Sequence, residues 1–456
     1  MNLKKIKIFI LSIFSLSFIM FSSSFQTAIL SITYASCQKQ TVLAVPNSLI
    51  NFSSEQPAST KPMLQWTKVE GAVAYELELL YTPAKNQSQS ETDPNCFFST
   101  RYIYTNGFNA DLSENFAGDC FYWRVRGLNI DGAPISLFSN PEKVCVDRQL
   151  EILQKPVPTS IFNLANGSTL LYPVYAWLPI AGASKYEVEI LSALPENPNG
   201  TEPSVNRIDV LTATGFDCYD EQPRFSDQPF YWRVRGLDDM GNPIGVYSDA
   251  EKFVITPDAN ISVATYGDSI THGGGSVSYS PADWEYSYQN YLTFPTINLG
   301  RSGDTSRAMV ERFDTDVLPF KPKYLLILAG TNSIRGGTSA TEVIADLKIL
   351  KGKCLDNNIL PVFLTLPPIN PENIEKIFNE TTASDWQLQR RLVNEYIRSQ
   401  VYIDICPNME DSNGNLKSHL AVDGLHLDIA GKKRIAQAIN KNWALILNLP
   451  WYAWLK

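Results

Sequence analysis

The chain has 456 residues, 44% of them hydrophobic and 19% charged, with a formal net charge of −9. At about 150 residues per domain roughly three domains are expected, and the mixture is that of a folded protein, not a disordered one. No basic stripe runs through the sequence, which excludes nucleic acid as a partner class.

Lys4, Lys5 and Lys7 open the chain and precede an apolar run from Ile8 to Ile32. Thr33-Tyr34-Ala35 offers small residues for a signal-peptidase cut after Ala35, so residues 1–35 are expected to be a signal peptide. An uncleaved N-terminal anchor is the alternative, because the run is long enough to span a bilayer. Cys37 adds a third option, a bacterial lipoprotein, although Tyr34 stands where Leu is usual. Each option exports the protein, secreted or anchored at the bacterial envelope, with membrane or cell-wall association through the N-terminus. Export permits disulfides. Of the seven cysteines, Cys37 is the natural odd one, and one pair is expected among Cys96, Cys120 and Cys145. Cys354 continues the apolar stripe Val343, Leu347, Leu350 and reads as a buried structural thiol. No spacing fits zinc, and with three histidines no His-rich metal site is expected.

An internal repeat follows. Phe121-Tyr122-Trp123-Arg124-Val125-Arg126-Gly127-Leu128 recurs as Phe230-Tyr231-Trp232-Arg233-Val234-Arg235-Gly236-Leu237. Upstream, Trp66 and Tyr75-Glu76-Leu77-Glu78-Leu79 match Trp177 and Tyr186-Glu187-Val188-Glu189-Ile190. Apolar and polar residues alternate at period two, the pattern of half-buried antiparallel strands. Two tandem β-sandwiches are therefore expected. They resemble fibronectin type III domains over residues 43–148 and 155–256.

From residue 258 the pattern changes, and residues 258–456 form the third expected domain. Candidate strands 261–266, 296–299, 324–329, 361–366 and 401–405 alternate with candidate helices 283–292, 307–318, 341–357, 385–399 and 430–446. Such alternation predicts a mostly parallel sheet with helices on both faces and a ligand site at the strands' carboxyl ends.

The chemistry-bearing residues sit at those ends. Gly267-Asp268-Ser269-Ile270-Thr271 follows the first strand and places a Ser hydroxyl on a strand-to-helix turn. Asp423-Gly424-Leu425-His426 precedes the last helix. Imidazole is the base suited to activating a hydroxyl at neutral pH, and a nearby carboxylate can fix its tautomer. Asn298 to Ser306 and Gly330-Thr331-Asn332-Ser333 follow the second and third strands, where a Gly N–H and an Asn amide are suitable donors to a tetrahedral oxyanion.

These blocks, in this order, resemble the GDSL, or SGNH, hydrolase family. The match runs over about residues 260–448. The resemblance implies a flavodoxin-like α/β/α sandwich. It also implies a serine esterase with catalytic Ser269, Asp423 and His426, and an oxyanion hole made of Ser269, Gly303 and Asn332. One departure is Ser333, where many members carry Asp. No cofactor is implied. The substrate is expected to be an ester, foremost an acylated carbohydrate. A lysophospholipid or other short-acyl lipid ester is the alternative within enzymes, and a surface glycan- or protein-binding protein the alternative outside them. The sandwiches are read as spacers that lift the enzyme off the envelope. Among the neighbours, His272 is expected to contact the cleft wall, and His419, Arg301 and Asp304 to serve the loops. Trp284, Tyr288 and Tyr291 are expected in the core, and Trp451, Tyr452 and Trp454 are left open between docking and exposure.

Overall fold

The computed structural model describes residues 44–455, apart from 88–90, 161–168, 227, 257–260 and 280–281. The expected leader, residues 1–35, and Cys37 lie outside the described residues.

The first repeat unit carries strands β1 (Met63–Gln65), β2 (Ala74–Leu80), β3 (Cys96–Ile103), β4 (Gly107–Asn109), β5 (Cys120–Leu128) and β6 (Glu142–Cys145). They form two antiparallel sheets, β3-β2-β5-β6 and β1-β4. The second unit repeats the plan with β7 (Val157–Pro158), β8 (Val174–Leu178), β9 (Lys185–Leu191), β10 (Arg207–Ala213), β11 (Asp217–Tyr219), β12 (Phe230–Leu237), β13 (Pro243–Ile244) and β14 (Glu251–Phe253). Its sheets are β10-β9-β12-β13, with β14 also on β12, and β11-β8-β7. Trp66, Trp123 and Tyr75 fill the first core, and Trp177, Trp232 and Tyr186 the second. Each core tyrosine accepts a backbone N–H six residues upstream, Val69 to Tyr75 at 3.0 Å and Ile180 to Tyr186 at 3.1 Å.

The alternating pattern predicts strands with one wet face, but β2 is buried along its whole length. Its second face holds a ladder of ion pairs. Glu76 stands opposite Arg126 and Glu78 opposite Arg124 in the register. Arg126 Nε reaches Glu76 at 2.7 Å and Arg124 Nε reaches Glu78 at 2.8 Å. Phe138 covers both guanidinium groups, at 4.1 and 4.3 Å from its ring centre. In the second unit Glu187, Glu189, Arg233 and Arg235 repeat the ladder under Tyr247. Cys120 and Cys145 face each other across β5 and β6 with their sulfurs 3.2 Å apart, too far for an S–S bond, and Cys96 is free as well, so the pair expected among these three cysteines is not formed.

The C-terminal domain contains β15 (Val263–Gly267), β16 (Ile297–Asn298), β17 (Tyr324–Leu328), β18 (Leu360–Leu364) and β19 (Tyr402–Ile403). All neighbours are parallel, in the order β16-β15-β17-β18-β19. This is a doubly wound order, with its switch point beside β15. Its helices are α1 (Ser269–His272), α2 (Ser306–Asp316), α3 (Thr331–Arg335), α4 (Ala340–Asp356), α5 (Pro371–Phe378), α6 (Trp386–Arg398) and α7 (Ile429–Leu447). The crossovers put α2, α4 and α6 side by side on one face and send α7 to the other. Cys354 is fully buried on the inner face of α4, as its stripe predicts.

The helix expected over 283–292 is instead two 3₁₀ turns, Trp284–Tyr286 and Tyr288–Tyr291. Ser287 breaks it: its backbone is extended, and its hydroxyl bonds Gln289 at 2.7 Å, the local competition that disfavours Ser inside helices. Tyr288 is buried in the core, while Tyr291 and Trp284 are half-buried. Of the terminal aromatics, Trp454 docks, donating its indole N–H to Pro361 O at 2.9 Å, while Trp451 and Tyr452 stay exposed.

Residues 45–456 cluster as one unit. The β-units are therefore packed onto the C-terminal domain. Thr169 to Leu171 run alongside β16, with Leu171 N–H on Asn298 O at 3.0 Å and Asn298 N–H on Thr169 O at 2.8 Å. Leu171, Tyr172 and Ile255 belong to the core of the C-terminal domain itself. From the first unit, Val73 packs with Tyr286 and Ile429, and Lys68 pairs with Asp283. Among the described residues no helix is long and apolar enough to cross a membrane, and no three His, Cys, Asp or Glu side chains gather as metal ligands.

Candidate active site

β15 ends at Gly267 and the chain turns directly into α1. A Cβ at Gly267 would lie 2.3 Å from Thr271 Oγ1 and 2.6 Å from Leu328 O, so only glycine lets this turn rest on β17. Asp268 caps α1 by accepting the Ile270 N–H at 2.9 Å. Complete burial pushes its carboxyl pKa up to about 6. The cap holds Ser269 at the first helical position, with its side chain lining a cleft of ≈ 410 Å³.

The Asp423-Gly424-Leu425-His426 segment closes on itself. Asp423 Oδ1 accepts the N–H groups of Leu425 and His426, each at 2.8 Å. Its Oδ2 lies 2.9 Å from His426 Nδ1, and His426 Nε2 lies 3.0 Å from Ser269 Oγ. Burial opposes ionisation of Asp423, but the His426 ring and the two N–H donors outweigh it and hold the carboxyl below its ordinary pKa. A charged carboxylate on Nδ1 leaves Nε2 free to take a proton from the serine.

Gly303 and Asn332 line the same cleft. Gly303 has φ = 86°, a backbone that a residue with a Cβ adopts only under strain. Asn332 sits in the first turn of α3. Its Nδ2 donates to Asp304 O at 3.0 Å, and its Oδ1 accepts from Arg335 Nε at 3.1 Å. The arginine thereby fixes which way the amide faces, with Nδ2 carrying a second N–H. Arg335 is in turn held by Glu380 at 2.7 Å. The cleft thus brings together all five residues that the sequence singled out.

Several supporting residues carry no signal in the sequence. Arg312 on α2 reads as a surface arginine paired with Asp316 at i,i+4, yet it is buried. It donates to Leu299 O at 2.9 Å, to Gly267 O at 3.1 Å and to Asp304, tying the ends of β15 and β16 to the Gly303 loop. Lys432 on α7 is fully buried beneath the site and donates to Ile270 O at 2.9 Å; burial lowers its pKa to about 8. Ser333, the position that departs from the resemblance in the sequence, accepts the Ser306 N–H at 2.9 Å, and Ser306 donates to Asp346 at 2.8 Å. A carboxylate is present in this cluster but comes from α4.

The neighbours divide. His272 is not a cleft wall. It is fully buried below it, with Nε2 2.9 Å from Tyr172 O and Nδ1 3.3 Å from Ser302 Oγ. Burial lowers its pKa to about 4, so it stays neutral. His419 is exposed. Arg301 lies 5.7 Å from the Tyr172 ring, and Asp304 is taken up by Arg312. Gly273, Gly274 and Gly275 line the cleft.

Residues 265–434 match the family described as GDSL-like Lipase/Acylhydrolase. No curated protein matches the sequence. Among solved structures, the chain is similar to a GDSL-like lipase from Bacteroides thetaiotaomicron, with 20% identity over 41% of this chain and 88% of that one and a TM-score of 0.33. It is similar to the lipase/acylhydrolase from Enterococcus faecalis, with 20% identity over 40% and 94% and a TM-score of 0.33. It is also similar to a mutant of an acetyl-xylooligosaccharide esterase from Geobacillus Stearmophilus, with 18% identity over 42% and 96% and a TM-score of 0.31. Residues 265–434 are a GDSL-like lipase/acylhydrolase domain, and the protein is an ester hydrolase.

Proposed function

We propose that this hydrolase removes short acyl groups, acetyl foremost, from glycans through an acyl-enzyme on Ser269. The observation that carries the chemistry is the file Asp423–His426–Ser269, with links of 2.9 and 3.0 Å, opening on a cleft that also holds Gly303 and Asn332. His426 Nε2 takes the Ser269 proton as the hydroxyl attacks the ester carbonyl. The oxyanion is met by the N–H groups of Ser269 and Gly303 and by Asn332 Nδ2. His426 then protonates the leaving alcohol, and water repeats the cycle on the acyl-enzyme.

Support for a short acyl group comes from the cleft's walls. Gly273, Gly274, Gly275, Ser302 and Asp217 line it, and its apolar residues are few, chiefly Val277, Ile377, Phe378 and Leu425. A long chain needs a longer apolar channel. In the same reading, residues 43–148 and 155–256 are fibronectin type III-like domains on the strength of their paired antiparallel sheets, and the leader exports the chain. One observation favours the lipid alternative: Ile377 and Phe378 on α5 are 53% and 38% exposed at the cleft's edge.

The test is hydrolysis of p-nitrophenyl esters from acetate to long acyl chains, with Ser269→Ala alongside. The expected result is turnover of acetate, little of long chains, and a fall of about 10⁴-fold or more in the variant. Preference for long chains would move the assignment to lipid esters. A variant as active as the parent would remove Ser269 from the chemistry.

A further inference from the structure

The catalytic cleft has a wall from outside the hydrolase domain. Asp217, on β11 of the second β-unit, lines it together with Ser269 and His426. The contact is built, not incidental. Asp217 Oδ2 accepts the Tyr279 N–H at 2.9 Å, which fixes the carboxylate against the loop that follows α1. Two residues on, Tyr219 lies between the His272 ring at 4.4 Å and the Tyr279 ring at 5.6 Å. The Tyr219 hydroxyl accepts the Ser302 N–H at 3.2 Å, next to Gly303. Among the described residues, Oδ1 of Asp217 has no hydrogen-bond partner.

We propose that Asp217 is a specificity-determining residue, accepting a hydrogen bond from a hydroxyl on the alcohol side of the scissile ester and so selecting neutral polyhydroxy alcohols. The chemistry narrows the partner. An acetyl group has no hydrogen-bond donor, so a carboxylate in the cleft finds none on the acyl side. A simple aliphatic alcohol leaves Oδ1 unpaired in a half-buried position, which costs affinity. An anionic alcohol is repelled. A sugar ring offers hydroxyls adjacent to the acylated one. Burial raises the Asp217 pKa to about 6, partly offset by the Tyr279 N–H, so the carboxylate is mostly ionised at neutral pH. The proposal rests on the glycan reading above and adds the residue that reads the sugar.

The experiment compares kcat/KM on monoacetylated glucose with that on p-nitrophenyl acetate, whose leaving group has no hydroxyl beside the ester. Both are measured in the full chain and in Asp217→Ala. The ratio is expected to fall roughly 10- to 100-fold in the variant, mainly through a raised KM for the sugar ester. Asp217→Asn keeps an acceptor for the Tyr279 N–H, and its ratio is expected to fall about 3- to 10-fold with the fold intact. If the parent hydrolyses the sugar ester and both substrates fall together in both variants, Asp217 only supports the fold and the proposal is overturned. An unchanged ratio overturns it too. If the parent cleaves p-nitrophenyl acetate but no acetylated sugar, the glycan reading itself fails, and the proposal with it.

Discussion

The two β-units are near copies, yet they meet different neighbours through the same strand. β4 in the first unit and β11 in the second both pair with the early tryptophan-bearing part of their unit, β1 and β8. On β4, Asn109 Oδ1 accepts the Ala181 N–H of the second unit at 2.8 Å, and a Cβ on Gly107 would lie 2.5 Å from Leu178. On β11, Asp217 and Tyr219 occupy the matching ends and reach the hydrolase domain at Tyr279 and Ser302. One strand position thus joins each unit to the next domain along the chain. The sequence shared by the repeats builds the cores. The residues that differ build the joints, and only the second joint touches chemistry.

The largest effects test whether the shared cores are equivalent. Arg124→Ala leaves Glu78 with only the Asp93 N–H, at 3.3 Å, among its described hydrogen-bond donors. An unpaired buried carboxylate costs about 3–5 kcal/mol. Arg233→Ala leaves Glu189 with Arg207 Nε at 2.7 Å and the Ser204 N–H at 2.8 Å, so about 1–2 kcal/mol less is expected. Hydrogen exchange on β5 and β12 reads each unit separately. Equal costs in the two would show that Arg207 does not compensate.

The next effect belongs to the joint with the hydrolase domain. His272, under Tyr219, has its pKa lowered from 6.5 to about 4, chiefly by burial. Between those values the unfolded chain binds more protons than the folded one, so stability rises with pH across that window and is lost as pH falls from 6.5 toward 4. The loss is expected to approach about 3 kcal/mol at the acid end. His272→Gln keeps a donor for Tyr172 O but does not titrate. Its unfolding midpoint, followed from pH 7 to 4, is expected to fall less than the parent's. Parallel pH profiles would show that His272 is not the group that titrates.

What the sequence made legible follows from how local each signal is. The five strands of the hydrolase sheet were marked by apolar runs, and Ser269, Asp423 and His426 by short motifs at strand ends or before a helix. The Asp-Xaa-Xaa-His spacing closes within one turn, so it announces its geometry locally. The residues that hold those groups in place were silent. Arg312 and Lys432 look like solvated helix charges until the fold buries them. Helix α5 was missed although Asn370 and Pro371 provide an N-cap and a first-turn proline. Its eight residues are too few for a clear apolar stripe. Asp217 could not be found at all by this route, because it is brought to Ser269 by docking between domains and no local pattern encodes that.

The smallest effect separates the two joints most directly. Tyr219→Phe keeps the ring against His272 and removes only the hydroxyl that accepts the Ser302 N–H. That amide precedes Gly303, whose own N–H faces the oxyanion in the mechanism proposed above. An unpaired N–H there loosens a donor needed most in the transition state. A fall in kcat of roughly 3- to 10-fold with little change in KM is therefore expected. Asn109→Ala at the matching strand breaks the Ala181 contact instead and is expected to cost about 1 kcal/mol of stability with kcat unaltered. If Tyr219→Phe lowers stability but not kcat, the second joint is as purely structural as the first. If Asn109→Ala lowers kcat as well, the first unit also bears on the active site, through the second joint or through its own contacts at Tyr286, Ile429 and Asp283.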